Sequence, residues 1–232
     1  MDVFPIPDEY STDYSFIREE EKKRKLNQQE LFSEDAGGFF DRLCDPHVLR
    51  YGFKSVRRNG GSPGIDGITI ETYEDDLEQE LRILSAELKD WKYAPQPVRR
   101  VEIPKPGGKG VRLLGVPCMR DRVVQASIKN LLEPLIDPTF SDSSYGFRPG
   151  RSQKQAIEKA QSMVQSGKEY VVDIDLSKFF DRVNHDKLIE RLKIRYSIDN
   201  RILRLIGLTL RSGAMVDGRV DRNLRCINES GE

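Results

Sequence analysis

Between Glu169 and Leu176 the chain runs EYVVDIDL, where apolar and acidic residues alternate in a way that a strand sorts onto two faces. Strand side chains switch faces with a period of two. Val172, Ile174 and Leu176 therefore share one face, and Asp173, Asp175 and Ser177 the other. The apolar face predicts a core contact. The acidic face sets two carboxylates about 6 to 7 Å apart, from a rise of about 3.3 Å per residue. Acids disfavour strands, and a bound cation is the obvious compensation.

The residues around this segment alternate helical and strand patterns. Residues 1–15 read as an irregular tail and 16–32 as a charged helix, with Lys22 to Lys25 a basic cluster open to solvent or RNA. NGGSPGIDG (59–67) is a Gly- and Pro-rich loop. Tyr73, Leu77, Leu81, Leu84 and Leu88 recur at helical spacing, and Pro95 and Pro97 are expected to end that helix. PVRRVEIP and GVRLLGVP predict two strands joined by the basic turn KPGGKG. Helical spacing returns at Val124, Ile128, Leu131 and Leu135. After the loop DSSYGFRPGRS, Ser152 and Gln155 form a capping box that opens a helix to about Gln165. Helical patterns near 186–196 and 199–211 follow, with Asn184 and Asp186 placed as caps. This order predicts an α+β fold, with a mixed or antiparallel sheet packed against helices.

Charge is segregated although the formal net charge is zero. Nine acids between Asp66 and Asp90 face only Arg82 and Lys89, whereas seven bases between Pro95 and Gln125 face only Glu102 and Asp121. A local basic excess attracts polyanions even on a neutral protein. Cys44, Cys118 and Cys226 are too scattered for a disulfide framework or a zinc site, which points to a reducing compartment. His47 and His185 have no partner at ligand spacing and read as structural. The acidic start argues against a signal peptide, and no run of about 18 apolar residues exists to span a membrane.

An acid strand, a basic hairpin and segregated charge are the parts that nucleotidyl transfer needs. Carboxylates hold two divalent ions, and cations neutralise the triphosphate and the template phosphates. The stretches GGSPGIDG, RRVEIPKPGGKGVRLLGVPCMRDRVVQ, SYGFRPGRS and VVDIDLSKFFDRVNHDKL resemble, in order, consecutive blocks of the reverse transcriptase encoded by bacterial group II introns, the intron maturase. The resemblance runs from about Asn59 to Gly218. It implies fingers and a partial palm, divided as 1–58 (a mostly helical extension), 59–168 (fingers), 169–220 (partial palm) and 221–232 (divergent tail). It makes Asp175 the first metal-binding catalytic aspartate of a two-ion Mg2+ site, and gives Asp173 a supporting or solvated role. Lys105 and Arg112 match residues that grip an incoming dNTP, with Lys109 auxiliary or solvent-exposed. Phe180 matches an aromatic steric gate, although Phe179 and Phe180 also read as core. Arg148 and Arg151 fall near template or nucleotide, where Gly146 and Gly150 permit close backbone approach. The implied partners are intron RNA, an RNA template with DNA primer, and dNTPs, in a bacterial cytoplasm.

The family's second pair of metal-binding aspartates, in a Tyr-x-Asp-Asp hairpin, has no counterpart after Asp175. The one such string, Tyr73 to Asp76, lies upstream in a helical pattern and reads as coincidence. After Gly218 the resemblance fades, as in a truncated or frameshifted copy. One family aspartate cannot hold two catalytic ions, so the chain alone is expected not to polymerise. Its unpaired strand edge invites homodimerisation. Two alternatives stand beside the polymerase: an intron RNA-binding module without catalysis, and a haloacid-dehalogenase-like phosphatase, whose nucleophile strand DIDLS resembles.

Overall fold

The structure, a computed structural model, describes residues 38–104, 110–176, 179–216 and 218–221. The helix expected over 16–32 lies outside the described residues, as do Lys105, Lys109 and residues 222–232.

Helix α1 (Phe39–Leu43) leads into α2 (Pro46–Asn59), which opens with Pro46 at its first turn and the Asp45 side chain accepting from His47 N at 2.8 Å. Thr69 caps α3 (Ile70–Asp75), and α4 (Leu77–Lys89) follows at once. The single helix expected here is thus two, because Asp76 (φ −111°, ψ 22°) leaves helical geometry. The apolar stripe survives the break: Tyr73, Leu81, Leu84 and Leu88 are all buried. Pro95 and Pro97 do not end α4. It stops at Lys89, and the chain turns through Trp91 at φ 58°, whose ring stacks on Phe40 with centroids 4.9 Å apart.

Strands β1 (Val98–Pro104) and β2 (Val111–Val116) form the expected antiparallel hairpin. Helix α5 (Met119–Ile136) then runs back through the core and ends in a 3-10 turn at Asp137–Thr139. Phe53 and Leu49 of α2, Leu84 of α4, and Val123 and Leu131 of α5 sit in one apolar cluster. Each fully buried side chain of this size contributes about 1.5–3 kcal/mol. Residues 38–59 therefore pack into the same core as the helices after the glycine loop.

Helix α6 (Gln153–Gln165) opens with the expected Ser152–Gln155 capping box but buries no residue. After α7 (Phe179–Arg182), Asn184 caps α8 (His185–Tyr196) by accepting from Lys187 N at 3.0 Å, as the sequence predicts. Asp186 lies in its first turn. Helix α9 (Asn200–Leu210) buries Ile202, Leu203 and Leu205 against the core. Two short strands that no sequence pattern announces, β3 (Ala214–Val216) and β4 (Arg219–Asp221), complete a mixed sheet of order β2-β1-β3-β4. Strand β3 runs parallel to β1, with Val98 opposite Ala214.

The expected strand over 170–176 is not formed. Val172 and Ile174 are each 80 % exposed, and the segment pairs with none of the described strands. The physical reason is pairing: none of the described strands runs beside the segment, although β2 and β4 each keep an outer edge open. A lone strand gains neither ladder hydrogen bonds nor a face to bury.

Candidate functional site

The hairpin is braced at its base. Arg99 Nε donates to the Pro63 carbonyl at 2.9 Å, Arg122 Nε to the Pro117 carbonyl at 2.9 Å, and Arg122 Nη2 to the Ser62 carbonyl. A Cβ on Gly64 would lie 2.6 Å from Cys118 Cα, so the glycine loop lies directly against the start of α5. Burial pulls the Arg122 guanidinium below its ordinary value, with Asp66 opposing. Just inside, Tyr93 OH donates to Asp121 Oδ1 at 2.8 Å and Gln96 N to Oδ2 at 3.0 Å. Burial raises the Asp121 carboxyl above its ordinary value, and these two hydrogen bonds resist the rise.

This brace fixes where the hairpin's side chains point. Register places Arg112 opposite Ile103 and Arg99 opposite Val116, so both arginines share one face of the ribbon. Arg112 is exposed toward the turn. Lys105 and Lys109, expected beside it, lie outside the described residues.

Asp175 is exposed and lines a cleft of about 250 Å³ with Leu176, Phe179, Arg182 and Val183. Asp173 is exposed as well. Phe179 and Phe180 are not core, contrary to that alternative: they are 51 % and 54 % exposed and meet edge to face, 5.3 Å between centroids. The strand that would have carried them inward is unpaired, so their rings cover each other instead. Both line a larger groove of about 1020 Å³ against α8, which includes Leu188, Arg191 and Ile194. Asp175 and Phe180 thus face adjoining recesses that share Phe179 and Val183.

The loop between α5 and α6 treats its two arginines differently. Arg148 is nearly enclosed, its side chain 7 % exposed. Its Nε and Nη2 donate to the Asp137 carboxylate at 2.8 and 3.2 Å, and Nη2 also to the Asp137 carbonyl at 3.0 Å. Its Nη1 donates to the carbonyls of Ser141 and Ser144 at 2.8 and 3.1 Å. The Arg151 guanidinium lies over the Tyr145 ring and donates to Asp142, to its fully exposed carboxylate at 3.2 Å and its carbonyl at 3.4 Å. No hydrogen bond or ion pair among the described residues links Asp175 to Arg112, Arg148 or Arg151.

The Tyr73–Asp76 string takes no part in these recesses: Tyr73 is buried and Glu74 pairs with Arg57 at 3.1 Å. Among the described residues no group of three or more His, Cys, Asp or Glu side chains is placed to hold a metal ion. Among the described residues Asp175 thus offers one carboxylate toward a two-ion centre, not the full donor set. No helix among the described residues is long and apolar enough to cross a membrane.

Sequence reasoning missed three residues that shape these surfaces. Asp137 organises Arg148 from the end of a helix, Phe147 projects from the same loop with 85 % exposure, and Trp91 is gripped by Arg204. A lone tryptophan after a helix was the only available signal for the last.

Comparison with known proteins agrees with the blocks read from the sequence. Over 156 residues the chain is 39% identical to "Protein YkfC" of Escherichia coli (strain K12), covering 66% of this chain and 40% of that protein. Over 187 residues it is 30% identical to "Group II intron-encoded protein LtrA" of Lactococcus lactis subsp. cremoris, covering 81% and 31%. It is 37% identical over 147 residues to the "Putative COX1/OXI3 intron 1 protein" of Saccharomyces cerevisiae, covering 63% and 17%. The chain thus spans two fifths or less of the length of these relatives. Residues 103–222, just over half of the chain, match the reverse transcriptase family, and this sets the phosphatase alternative aside. The hairpin from Ile103, the arginine loop and the Asp175 segment all fall within that match, and the chain belongs to the reverse transcriptase (RNA-dependent DNA polymerase) family.

Proposed function

We propose that this chain supplies the nucleotide- and template-holding part of a group II intron reverse transcriptase, together with the first of its metal-binding aspartates. In this reading Arg112 and Lys105 hold the phosphates of a dNTP, with Lys109 as an auxiliary contact, and Arg151 meets a template phosphate. Phe180 lies beside the incoming sugar, where a bulky ring excludes a ribose 2′-hydroxyl. Asp175 is the carboxylate that would hold Mg2+, and Asp173 supports it. The partners are intron RNA, an RNA template with DNA primer, and dNTPs, and the compartment is the cytoplasm.

The single observation that carries this reading is the setting of Asp175. Its carboxylate is exposed, without an ion pair among the described residues, in a recess walled by Phe179 and adjoining the groove that Phe180 faces. Two-ion transfer needs further carboxylates around the same ions, and the described residues do not bring them. The 232-residue chain by itself therefore binds nucleic acid without extending a primer. Primer extension with Mg2+ or Mn2+ tests this: no incorporation is expected, and template-dependent incorporation by the purified chain overturns it.

The binding-module alternative is favoured by the basic ribbon and by the loop that interleaves Arg148 and Arg151 with Phe140, Tyr145 and Phe147. Filter binding across a salt series tests it. The logarithm of affinity should fall by about 0.7–0.9 per phosphate contact per decade of salt. A flat response rules out a phosphate-tracking surface.

A further inference from the structure

The α5–α6 loop presents a ring that the family match alone does not explain. Phe147 is 85 % exposed, and its backbone sits at φ 55°. A bulky L-residue adopts that left-handed conformation only where its surroundings hold it. Next to it, Arg148 holds the loop. A guanidinium has five N–H donors, and all five of Arg148's are taken by Asp137, Ser141 and Ser144. Nothing of it remains for a phosphate.

The loop's other two rings are already covered. The Arg148 guanidinium lies 5.5 Å from the Phe140 ring centre, and Arg151 lies 5.6 Å from that of Tyr145. Among the described residues no ring or guanidinium stacks on Phe147. Its sequence neighbours are Gly146 and Arg148, and a Cβ on Gly146 would meet nothing within 4 Å. An apolar protein segment needs a groove, which this isolated ring does not offer. A planar base needs only an uncovered ring face and a cation on the same loop, and Arg151, four residues on, is held by Asp142 through a fully exposed carboxylate and a long carbonyl contact.

We propose that Phe147 is a stacking platform for an unpaired base of a bound single strand, and that Arg148 is the positioning residue that holds it outward rather than a phosphate contact. The inference rests on the nucleic-acid reading above and divides the loop's work: Arg148 acts through Phe147, while Arg151 is free to exchange Asp142 for a phosphate.

Titration of the 232-residue chain into a single-stranded RNA decamer carrying one 2-aminopurine, and into a blunt RNA duplex of the same length, tests it. Phe147→Leu should weaken single-strand binding by roughly five- to 150-fold, leave the duplex affinity unchanged, and be rescued by Phe147→Trp. Arg148→Lys, which loses the fork but keeps the charge, and Arg148→Gln, which loses both, should show the same loss with an unchanged salt slope, and either double variant with Phe147→Leu should bind no worse than the single ones. Wild-type affinity in Phe147→Leu overturns the inference while leaving the nucleic-acid reading intact. A salt slope shallower by about 0.7 in Arg148→Gln shows a direct phosphate contact and overturns the positioning role. If the wild-type chain binds neither RNA, both readings fall. Melting curves separate folding from binding, and if Arg148→Lys fails to fold, the exposed Phe147 decides the question by itself.

Discussion

The Arg204 guanidinium lies 4.7 Å from the centroid of the Trp91 ring, and that ring stacks on Phe40, whose own centroid lies 4.7 Å from Arg201. Helix α9 is thereby latched to the turn after α4 through two cations and two rings. An offset aromatic pair is worth about 0.5–1.5 kcal/mol beyond its burial, and an exposed cation–π contact about 0.5–1 kcal/mol. Trp91→Phe should lower stability by about 1 kcal/mol, and Arg204→Ala by less, with a measurable coupling between them. Trp91 is the only tryptophan, so its fluorescence in urea reports release of this latch directly. Strict additivity of the two variants removes the latch from the account.

Helices α2 and α5 are in close contact at Gly52. A Cβ there would lie 2.8 Å from the Val123 carbonyl, while Ser127 Oγ donates to the Val48 carbonyl at 3.4 Å. Gly52→Ala must push two backbones apart, at a cost of about 1–3 kcal/mol. Gly60→Ala meets nothing within 4 Å and pays only for its φ of 66° with ψ −154°, a conformation almost confined to glycine, about 1–3 kcal/mol. Thermal melts of the two variants compare packing with backbone strain. Gly52→Ala at wild-type stability contradicts the contact.

Acid should loosen the arginine loop and the start of α9 together. Hydrogen bonds from Arg148 hold the Asp137 carboxyl below its ordinary value, and Arg201 does the same for Asp199. The unfolded chain therefore binds these protons more readily than the folded one. The stability they contribute is complete above the ordinary carboxyl value of about 3.9 and is lost as pH falls through the lower folded values. The urea midpoint of Asp137→Asn should decline less between about pH 5 and pH 2 than that of the wild type. Parallel pH profiles would show that the pair carries no acid sensitivity.

The uncovered run from Val171 to Leu176 should make the chain self-associate, because bare apolar residues and unpaired backbone invite a second strand. Sedimentation velocity across a concentration series should show the mass rising with concentration. Val172→Lys with Ile174→Lys should hold the chain monomeric. A wild-type monomer at the highest concentration tested refutes this.

Patterns that close within a few turns were legible. The Ser152–Gln155 box, the Asn184 cap, the β1–β2 hairpin and the helix through Val124 and Leu131 appear as read, since each is decided by neighbours in sequence. The 170–176 segment failed because a strand's fate depends on partners elsewhere, and alternation says nothing of whether they are present. Strand β3 was invisible for the converse reason: three residues become a strand only by lying beside β1. At the candidate site, the alternating pattern singled out Asp175 and the family resemblance Arg148 and Phe180, but neither gave their surroundings. Three of the five bonds that saturate Arg148 go to carbonyls, which have no letter in a sequence, and Phe147 is notable only for its backbone angle and its exposure.

The parallel pairing of β1 with β3 also orders events in time. Val98 and Ala214 stand half the chain length apart. At about 5–20 residues per second, a ribosome releases β3 on the order of ten seconds after β1. The α2–α4–α5 cluster and the hairpin are complete long before then, so the nascent chain carries β1 with one edge bare throughout that interval. Pairing of Val98 with Ala214 is thus a late step for this part of a growing chain, and it is the step at which a chaperone would find an open strand to hold.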